Sequence, residues 1–180
     1  GPQDERDSLA ALRAAFDAGV TFFDTAEAYG DGYSEQLVGK ALGSVRGQIV
    51  IASKVSADHF APDALAAACE RSLRNLQTDR IDLMQHHEII RMDDADRIFE
   101  EDGATAALLE AKKAGKIRYI GFTGHKDPAV HLRALEVAAQ HQFRLDAVQM
   151  PLNVMDAHFR SFAKQVLPVL VKEGIGVLGM

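Results

Sequence analysis

Six short apolar runs recur along the chain, and an amphipathic stretch separates each from the next. The runs are nearly continuous in apolar character and rich in β-branched or aromatic residues. This pattern is typical of strands that are covered on both faces, as in a parallel sheet. The runs lie at residues 20–23, 49–52, 81–84, 119–122, 147–150 and 176–179.

The stretches between the runs predict helices with clear start and stop residues. The clearest helix is predicted over residues 62–76, where Leu65 and Cys69 belong to one apolar stripe. Asp127 followed by Pro128 predicts another helix start, with the aspartate as N-cap and the proline at the first position. Three predicted helices end at a glycine that comes just before an apolar run, as expected of a C-cap. These glycines are Gly19, Gly115 and Gly174.

The alternation of strands and helices predicts an α/β protein with six βα units. Successive runs begin about 30 residues apart, which is the length of one βαβ unit. Both a doubly wound open sheet and a (β/α)8 TIM barrel have this pattern. A doubly wound sheet usually carries a glycine-rich phosphate turn after its first strand, whereas Asp-Thr-Ala-Glu follows the first run here. We therefore predict a (β/α)8 TIM barrel with about six of its eight units present.

We interpret residues 1–180 as a single barrel domain, because no linker or shift in composition interrupts the series. A complete barrel takes about 250 residues, so this domain is expected to be incomplete at its N- and C-termini. Hydrophobic residues make up 47% and charged residues 26%, which are ordinary globular values. Cys69 is the only cysteine. The sequence therefore predicts a protein without internal disulfides, as is usual in the cytoplasm.

The charge and hydropathy of the chain argue against two classes of partner. There are 20 Lys and Arg residues against 26 Asp and Glu, the net charge is −6, and no basic run occurs. These values argue against nucleic-acid binding. No apolar run approaches the roughly 20 residues that a membrane span needs. We expect neither a nucleic acid nor a membrane as partner, and the sequence does not specify an oligomeric state.

Polar and ionisable residues close five of the six apolar runs. In a barrel the carboxyl ends of the strands converge on one face, and that face holds the active site. Burying charged groups together without partners is costly, so this convergence indicates a catalytic or binding site rather than a structural feature. The candidate residues at the strand ends are Asp24, Lys54, His87, Thr123, His125 and Gln149.

Tyr29 follows the first run closely and is a candidate proton donor. A free tyrosine has a pKa of about 10, which is too high for an efficient acid near neutrality. A neighbouring ammonium stabilises the phenolate, and a carboxylate keeps that ammonium charged and oriented. Asp24, Tyr29 and Lys54 supply this set, and His87 adds a neutral hydrogen-bond donor. The alternative is that Tyr29 is a surface residue of the loop.

These residues resemble those of the aldo-keto reductases. The segment DTAEAYG at residues 24–30, followed by Ser34-Glu35, is similar to the family signature after its second barrel strand. Residues 51–54 are similar to the family's lysine strand. Residues 82–87 are similar to its histidine strand, and the family's histidine falls on His87. The resemblance extends over nearly the whole chain, from residue 16 to residue 180.

The resemblance implies a barrel that binds a nicotinamide cofactor and reduces an aldehyde or ketone to an alcohol. The expected cofactor is NADPH, with NADH as the alternative, and the expected partner is a small-molecule carbonyl substrate. Tyr29 would protonate the developing alkoxide, and Lys54 would make Tyr29 a better acid. Asp24 would pair with Lys54, and His87 would orient the carbonyl.

The resemblance also implies which residues hold the nicotinamide carboxamide. Thr123 stands at the position of a family serine, and Gln149 stands at the position of a family glutamine. The neighbouring family asparagine is replaced by Gly124, which has no side chain, so His125 is the expected substitute. No metal ligand is implied.

Two other functions remain open from the residues themselves. The first is a metal-dependent TIM-barrel hydrolase, since imidazole and carboxylate groups suit zinc or manganese. Its candidate ligands are His86, His87, His125, Asp24 and Lys54. Adjacent residues on a strand face opposite ways, which argues against His86 and His87 as joint ligands. The second is a non-catalytic cofactor-binding barrel, against which the complete tyrosine, lysine, aspartate and histidine set argues.

Several remaining residues are predicted to have no chemical role. Cys69 lies on an apolar helix stripe and is predicted to belong to the core. Four histidines are predicted in loops or on helix surfaces, with no function assigned to them. They are His59, His131, His141 and His158.

Overall fold

The computed structural model describes residues 5–100 and 103–180. Six strands form one sheet in which every neighbouring pair is parallel. The spatial order of the strands follows the chain order from first to last. A doubly wound sheet reverses its strand order at a switch point, so the observed order is that of a barrel and confirms the predicted (β/α)8 architecture. The strands are β1 (Phe22–Asp24), β2 (Val50–Val55), β3 (Ile81–His86), β4 (Ile117–Thr123), β5 (Ala147–Met150) and β6 (Gly176–Gly179).

Helices connect the strands and cover one face of the sheet. They are α1 (Glu5–Asp17), α2 (Tyr33–Leu42), α3 (Pro62–Asn75), α4 (Met92–Arg97), α5 (Ala104–Lys113), α6 (Pro128–Gln140), α7 (Phe162–Gln165) and α8 (Leu167–Glu173). Two short 3-10 helices, Gly43–Gln48 and Ala57–His59, flank β2. None of the helices in the described ranges is long and apolar enough to cross a membrane.

The structure confirms the predicted apolar stripe, N-cap and C-cap residues of the helices. Leu65 and Cys69 of α3 are buried, which confirms the predicted stripe. The carboxylate of Asp127 accepts the backbone N–H of Ala129 at 3.0 Å, and Pro128 occupies the first helical position of α6. The three predicted C-cap glycines have positive φ angles, which only glycine adopts without strain. The angles are 95° at Gly19, 77° at Gly115 and 64° at Gly174.

The two faces of the sheet differ in what they contact. Side chains such as Met84 and Phe122 point outward into the fully buried core under the helices. The opposite, concave face carries Phe22, Val50 and Tyr119, which line a cavity of about 690 Å³. Because side chains alternate between the two faces of a strand, the inward residues nearer the carboxyl ends of the strands project toward the barrel interior. They are Lys54, Gln85, Thr123 and Gln149.

Candidate active site

Lys54 forms the centre of the candidate site, near the end of β2. Its side chain is almost fully buried, with only 1% of the residue exposed. The ammonium lies 2.5 Å from Oδ2 of Asp24, at the end of β1, and 2.8 Å from the carbonyl oxygen of Thr25. A buried ammonium without such partners would be costly. The first strand and the start of its loop are therefore fixed to the lysine of the second strand.

Tyr29 lies in the loop after β1, on the solvent side of Lys54. Its hydroxyl oxygen is 3.4 Å from Nζ of Lys54, and the ammonium also lies 4.9 Å from the centre of the phenol ring. A turn closed by the Tyr29 N–H on the carbonyl of Ala26, and a positive φ of 62° at Gly30, give the loop its path. Tyr29 remains 43% exposed, so a molecule in solution can reach the phenol.

His87 completes the cluster just past the end of β3. Its imidazole makes an edge-on contact with the Tyr29 ring, with 5.9 Å between the ring centres and 80° between the ring planes. Its backbone N–H donates to the carbonyl of Val55 at 2.9 Å, which fixes the start of the loop. Partial burial, followed by the positive charge of Lys54, lowers the pKa of His87 below its usual value. The imidazole is therefore neutral at pH 7 and has one N–H to donate.

The structure thus brings together all four residues that the sequence predicts as catalytic. Asp24 and Lys54 come from β1 and β2, Tyr29 comes from the loop after β1, and His87 comes from the start of the loop after β3. Their arrangement places a phenol between an ammonium and an imidazole, with a carboxylate behind the ammonium. Such a cluster can transfer a proton to an oxygen atom and stabilise negative charge at that oxygen.

Two of the three predicted cofactor residues are neighbours in the sheet. Thr123 of β4 and Gln149 of β5 are register partners, and both are largely buried on the interior face. Within the described part of the chain, neither the Thr123 hydroxyl nor Nε2 of Gln149 makes a side-chain hydrogen bond. These groups are available to a ligand. His125, the third predicted residue, is exposed in the loop after β4.

The structure explains why Gly124 carries no side chain. A Cβ atom at this position would lie 2.7 Å from Cε1 of His131 and even closer to the carbonyl oxygen of Ile89. His131 itself is fully buried, and its ring packs between Phe122 and Phe162 at 4.9 Å from each ring centre. The prediction that His131 lies in a loop or on a helix surface is therefore wrong. His131 is part of the core beneath the site.

Gln85 was not predicted from the sequence as a site residue, although it links the acid–base cluster with the predicted cofactor residues. Gln85 is fully buried on β3, and its Nε2 lies 3.1 Å from Oε1 of Gln149 and 3.5 Å from Oδ1 of Asp24. Its own Oε1 has no hydrogen-bond partner among the described residues. The sequence did contain a signal for this residue. Gln85 directly follows the apolar run at residues 81–84, and a glutamine at an inward strand position beside the strand of Lys54 breaks the apolar pattern.

The histidines proposed as joint metal ligands do not share a face of the sheet. His86 points outward, where its Nε2 lies 3.1 Å from Oγ1 of Thr105 and its ring contacts Phe60. His87 lies on the opposite side, against Tyr29. In residues 5–100 and 103–180, no group of three or more His, Cys, Asp or Glu side chains is arranged to hold a metal ion.

A parallel barrel sheet with a tyrosine, lysine, aspartate and histidine cluster at its carboxyl edge defines a class of TIM-barrel proteins with an acid–base site. The sequence profile described as the Aldo/keto reductase family matches residues 1–180 of this chain. The chain therefore belongs to the aldo/keto reductase family, as the sequence resemblance predicted.

Individual relatives agree with this assignment. The chain is 33% identical to the aldo-keto reductase YhdN of Bacillus subtilis (strain 168), over 93% of this chain and 49% of that protein. It is 34% identical to an L-galactose dehydrogenase of Arabidopsis thaliana, over 99% of this chain and 56% of that protein. The chain thus spans about half the length of the curated relatives it matches.

Solved structures of similar proteins share the fold. An aldo/keto reductase from Klebsiella pneumoniae, crystallised with NADP and acetate, superposes with a TM-score of 0.78 at 29% identity, over 97% of this chain and 57% of that chain. The holo form of an aldo-keto reductase from Bacillus halodurans gives a TM-score of 0.80 at 27% identity, over 98% of this chain and 57% of that chain. The likeness therefore extends over nearly all of this chain.

Proposed function

We propose that the protein reduces an aldehyde or ketone to an alcohol with NADPH as the reductant. The observation that carries this proposal is the position of the Lys54 ammonium, which contacts both the Asp24 carboxylate and the Tyr29 hydroxyl. That contact places a positively charged group beside a solvent-accessible phenol. Membership of the aldo/keto reductase family supports the same reaction.

The interior face has the groups that a nicotinamide carboxamide needs. The Thr123 hydroxyl and the NH2 group of Gln149 lie on adjacent, largely buried residues and are free to bind a polar ligand. A carboxamide has one acceptor and one donor group, and these two side chains match both. The cofactor, when bound, supplies the hydrogen and the two electrons that reduce the carbonyl carbon. A solved relative that contains NADPH supports this choice of cofactor.

The residues of the chain would then act on the carbonyl oxygen. Tyr29 donates its hydroxyl proton to that oxygen as negative charge develops there. Lys54 stabilises the charge left on the phenol, and Asp24 holds Lys54 in place. His87, neutral because burial and Lys54 lower its pKa, donates a hydrogen bond that orients the carbonyl. We also propose His125, exposed beside this site, as a further contact for the cofactor.

We propose that residues 1–180 belong to a single barrel domain that acts in the cytoplasm on a small molecule. The continuous six-stranded sheet supports one domain. The lone cysteine is free and buried, which is consistent with a reducing compartment. A net charge of −6 without a basic run favours a small carbonyl compound over a nucleic acid as partner.

Substitution of Tyr29 by phenylalanine tests the proposal. Tyr29→Phe is expected to lower kcat for a panel of simple aldehydes by about 100-fold to 10,000-fold, because the proton donor is lost. Turnover is followed by the absorbance of NADPH, and the Kd for NADPH is measured by titration calorimetry. The Kd is expected to stay within about twofold of wild type, since the hydroxyl contacts Lys54 and not the carboxamide groups.

Tyr33→Phe is the matched control, because Tyr33 is a similarly exposed tyrosine whose hydroxyl faces Glu5 on α1. This control is expected to keep wild-type kcat. Wild-type kcat in Tyr29→Phe, or a wild-type protein that neither binds NADPH nor reduces any aldehyde or ketone, would contradict the proposed function.

A further inference from the structure

Gln85 lies between the two halves of the site, in the middle of the sheet. It is the register partner of Lys54 on β2 and of Gly121 on β4, and it is fully buried on the interior face. Its Nε2 lies 3.5 Å from Oδ1 of Asp24 on one side and 3.1 Å from Oε1 of Gln149 on the other. Gln85 therefore contacts the acid–base cluster and the predicted carboxamide site at the same time.

The chemistry of these groups fixes the direction of the contacts. An ionised carboxylate only accepts hydrogen bonds, so the end of the Gln85 amide that faces Asp24 must be its NH2 group. The same NH2 group faces Gln149, whose Oε1 is then the acceptor of that bond. With its Oε1 occupied, Gln149 has only its NH2 group left for a ligand.

The unpartnered oxygen of Gln85 supports a functional reason for this residue. Oε1 is buried and accepts no hydrogen bond in the described part of the chain. A buried acceptor without a partner costs about 1–3 kcal/mol, whereas an apolar side chain of the same shape would avoid that cost. The presence of a glutamine at this position, in spite of this cost, is explained by what its NH2 group orients.

We propose that Gln85 is a positioning residue that transmits the orientation set by Asp24 to Gln149. Through this relay, Gln149 presents its NH2 group to the carboxamide oxygen of the nicotinamide. The inference rests on the proposed function and extends it, because it couples the carboxylate that holds the catalytic lysine to the group that orients the cofactor.

A double-mutant cycle on cofactor binding tests the relay. Gln85→Met and Gln149→Met keep the length of the side chain and remove the amide. Each is expected to raise the Kd for NADPH, measured by titration calorimetry, by about threefold to tenfold, the usual effect of one hydrogen bond. The double variant is expected to bind no more weakly than Gln149→Met alone. Two residues that act independently would instead give additive losses of binding free energy.

Gln85→Glu provides a second test with a pH readout. This substitution keeps the volume of the side chain and places a second carboxylate against Asp24. The new glutamate has no hydrogen to donate while it is ionised, and it can donate a hydrogen bond once it is protonated. The Kd of this variant for NADPH is expected to be raised at pH 7.5 and to recover toward the wild-type value at pH 5.5. At each pH the Kd of Gln85→Glu is divided by the Kd of wild type, and this ratio removes any pH dependence of NADPH binding that the two proteins share.

Thr105→Val is the matched control for the loss of a buried hydrogen bond near β3. Thr105 bonds to His86 on the outer face, away from the site. This control is expected to lower the free energy of unfolding and to leave the Kd for NADPH unchanged. If Gln85→Met binds NADPH as tightly as wild type, or if the losses are additive, the relay is wrong and the proposed function stands. If wild type does not bind NADPH, both are wrong.

Discussion

Lys54 shows how one buried charge can organise a site. Its ammonium is held by Asp24 and by the carbonyl of Thr25, both of which belong to the neighbouring strand and loop. The same ammonium reaches the Tyr29 hydroxyl. Because an unpaired buried charge is costly, the loop cannot move away from Lys54 without a loss of stability. The interaction that keeps the lysine buried therefore also holds the candidate proton donor in place.

His131 predicts a pH dependence of stability. Burial lowers its pKa to about 4, although the backbone of Gln149 and Asp127 acts against the shift. An unfolded histidine takes up its proton near pH 6.5, so between pH 6.5 and 4 the unfolded state binds more protons than the folded state. The free energy of unfolding is therefore expected to fall as the pH falls through this range, by about 3 kcal/mol in total from this residue.

Urea unfolding at pH 7 and pH 4.5 measures this effect. His131→Phe fits the surrounding aromatic side chains and has no proton to bind, so the variant is expected to lose less stability between the two pH values than wild type. His158→Phe, at an exposed position, is the control and is expected to keep the wild-type difference. An equal loss in His131→Phe and wild type would show that His131 does not cause the dependence.

At the scale of elements, two aspartates join neighbouring strands by the same contact. Oδ2 of Asp82 on β3 accepts the backbone N–H of Ile51 on β2 at 3.0 Å. Oδ2 of Asp146, just before β5, accepts the backbone N–H of Ile120 on β4 at 2.9 Å. Each aspartate thus satisfies a backbone donor at the end of the sheet that lies opposite the site. Buried donors need such partners.

Asp82 is expected to be the more important of the two for stability. Its carboxylate is almost fully buried and is also paired with Arg46 at 2.8 Å and Arg118 at 3.0 Å. Burial alone would raise the pKa of Asp82, but the Ile51 N–H and the two guanidinium groups outweigh it and hold the pKa below its usual value. Asp82→Asn is expected to lower the free energy of unfolding at pH 7 by about 2 kcal/mol.

The pH dependence gives a second check on this prediction. A lowered folded-state pKa stabilises the fold above the unfolded-state value of about 4, and this contribution is lost as the pH falls through the folded-state pKa. The difference in stability between wild type and Asp82→Asn is therefore expected to shrink below pH 4. Asp146→Asn, at a less buried site with one lysine partner, is expected to cost about 1 kcal/mol or less. Equal costs for the two variants would contradict the ranking.

The apolar pattern predicted all six strands, but it did not give their ends. β2 continues through Ser53 and Lys54 to Val55, and β3 continues through Gln85 to His86. Polar residues at these positions look like the start of a loop in a sequence, although in the structure they pair within the sheet. Of these residues, Lys54 and Gln85 point into the site, whereas Ser53 and His86 bond to helix side chains on the outer face. Hydropathy alone does not distinguish a polar residue that faces an interior site from one that faces solvent.

The candidate acid–base residues could be predicted because each closes a strand or follows it closely. The contacts made by Gln85 and His131 could not, because they depend on which strands become neighbours and on how much space remains between them. The polar residue after the apolar run at residues 81–84 marks Gln85 as unusual. Neither this break in the pattern nor the sequence around His131 identifies the interior contacts that the two residues make. Long-range packing decides these positions.

At the scale of the whole molecule, the site is distributed along most of the chain. Asp24, Lys54, Gln85 and Gln149 come from four different strands, and side-chain hydrogen bonds connect Gln85 with the residues at both ends of this set. The sequential order of the strands is what makes these contacts possible, because it brings the carboxyl end of each strand beside that of the next. Disturbance of any one strand therefore alters the site.

This distribution predicts that cofactor binding stabilises the fold as a whole. A ligand that binds the folded state alone raises the free energy of unfolding by about 2.7 kcal/mol at a concentration of 100 times its Kd. In urea unfolding, wild type and Tyr29→Phe are expected to gain this amount from NADPH, since Tyr29 is assigned to proton transfer and not to cofactor binding. Gln149→Met is expected to gain less at the same NADPH concentration, because its Kd is higher. If NADPH failed to raise the free energy of unfolding of Tyr29→Phe alone, Tyr29 would be a cofactor-binding residue. The assignment of Tyr29 to proton transfer and of Gln149 to cofactor binding would then be wrong.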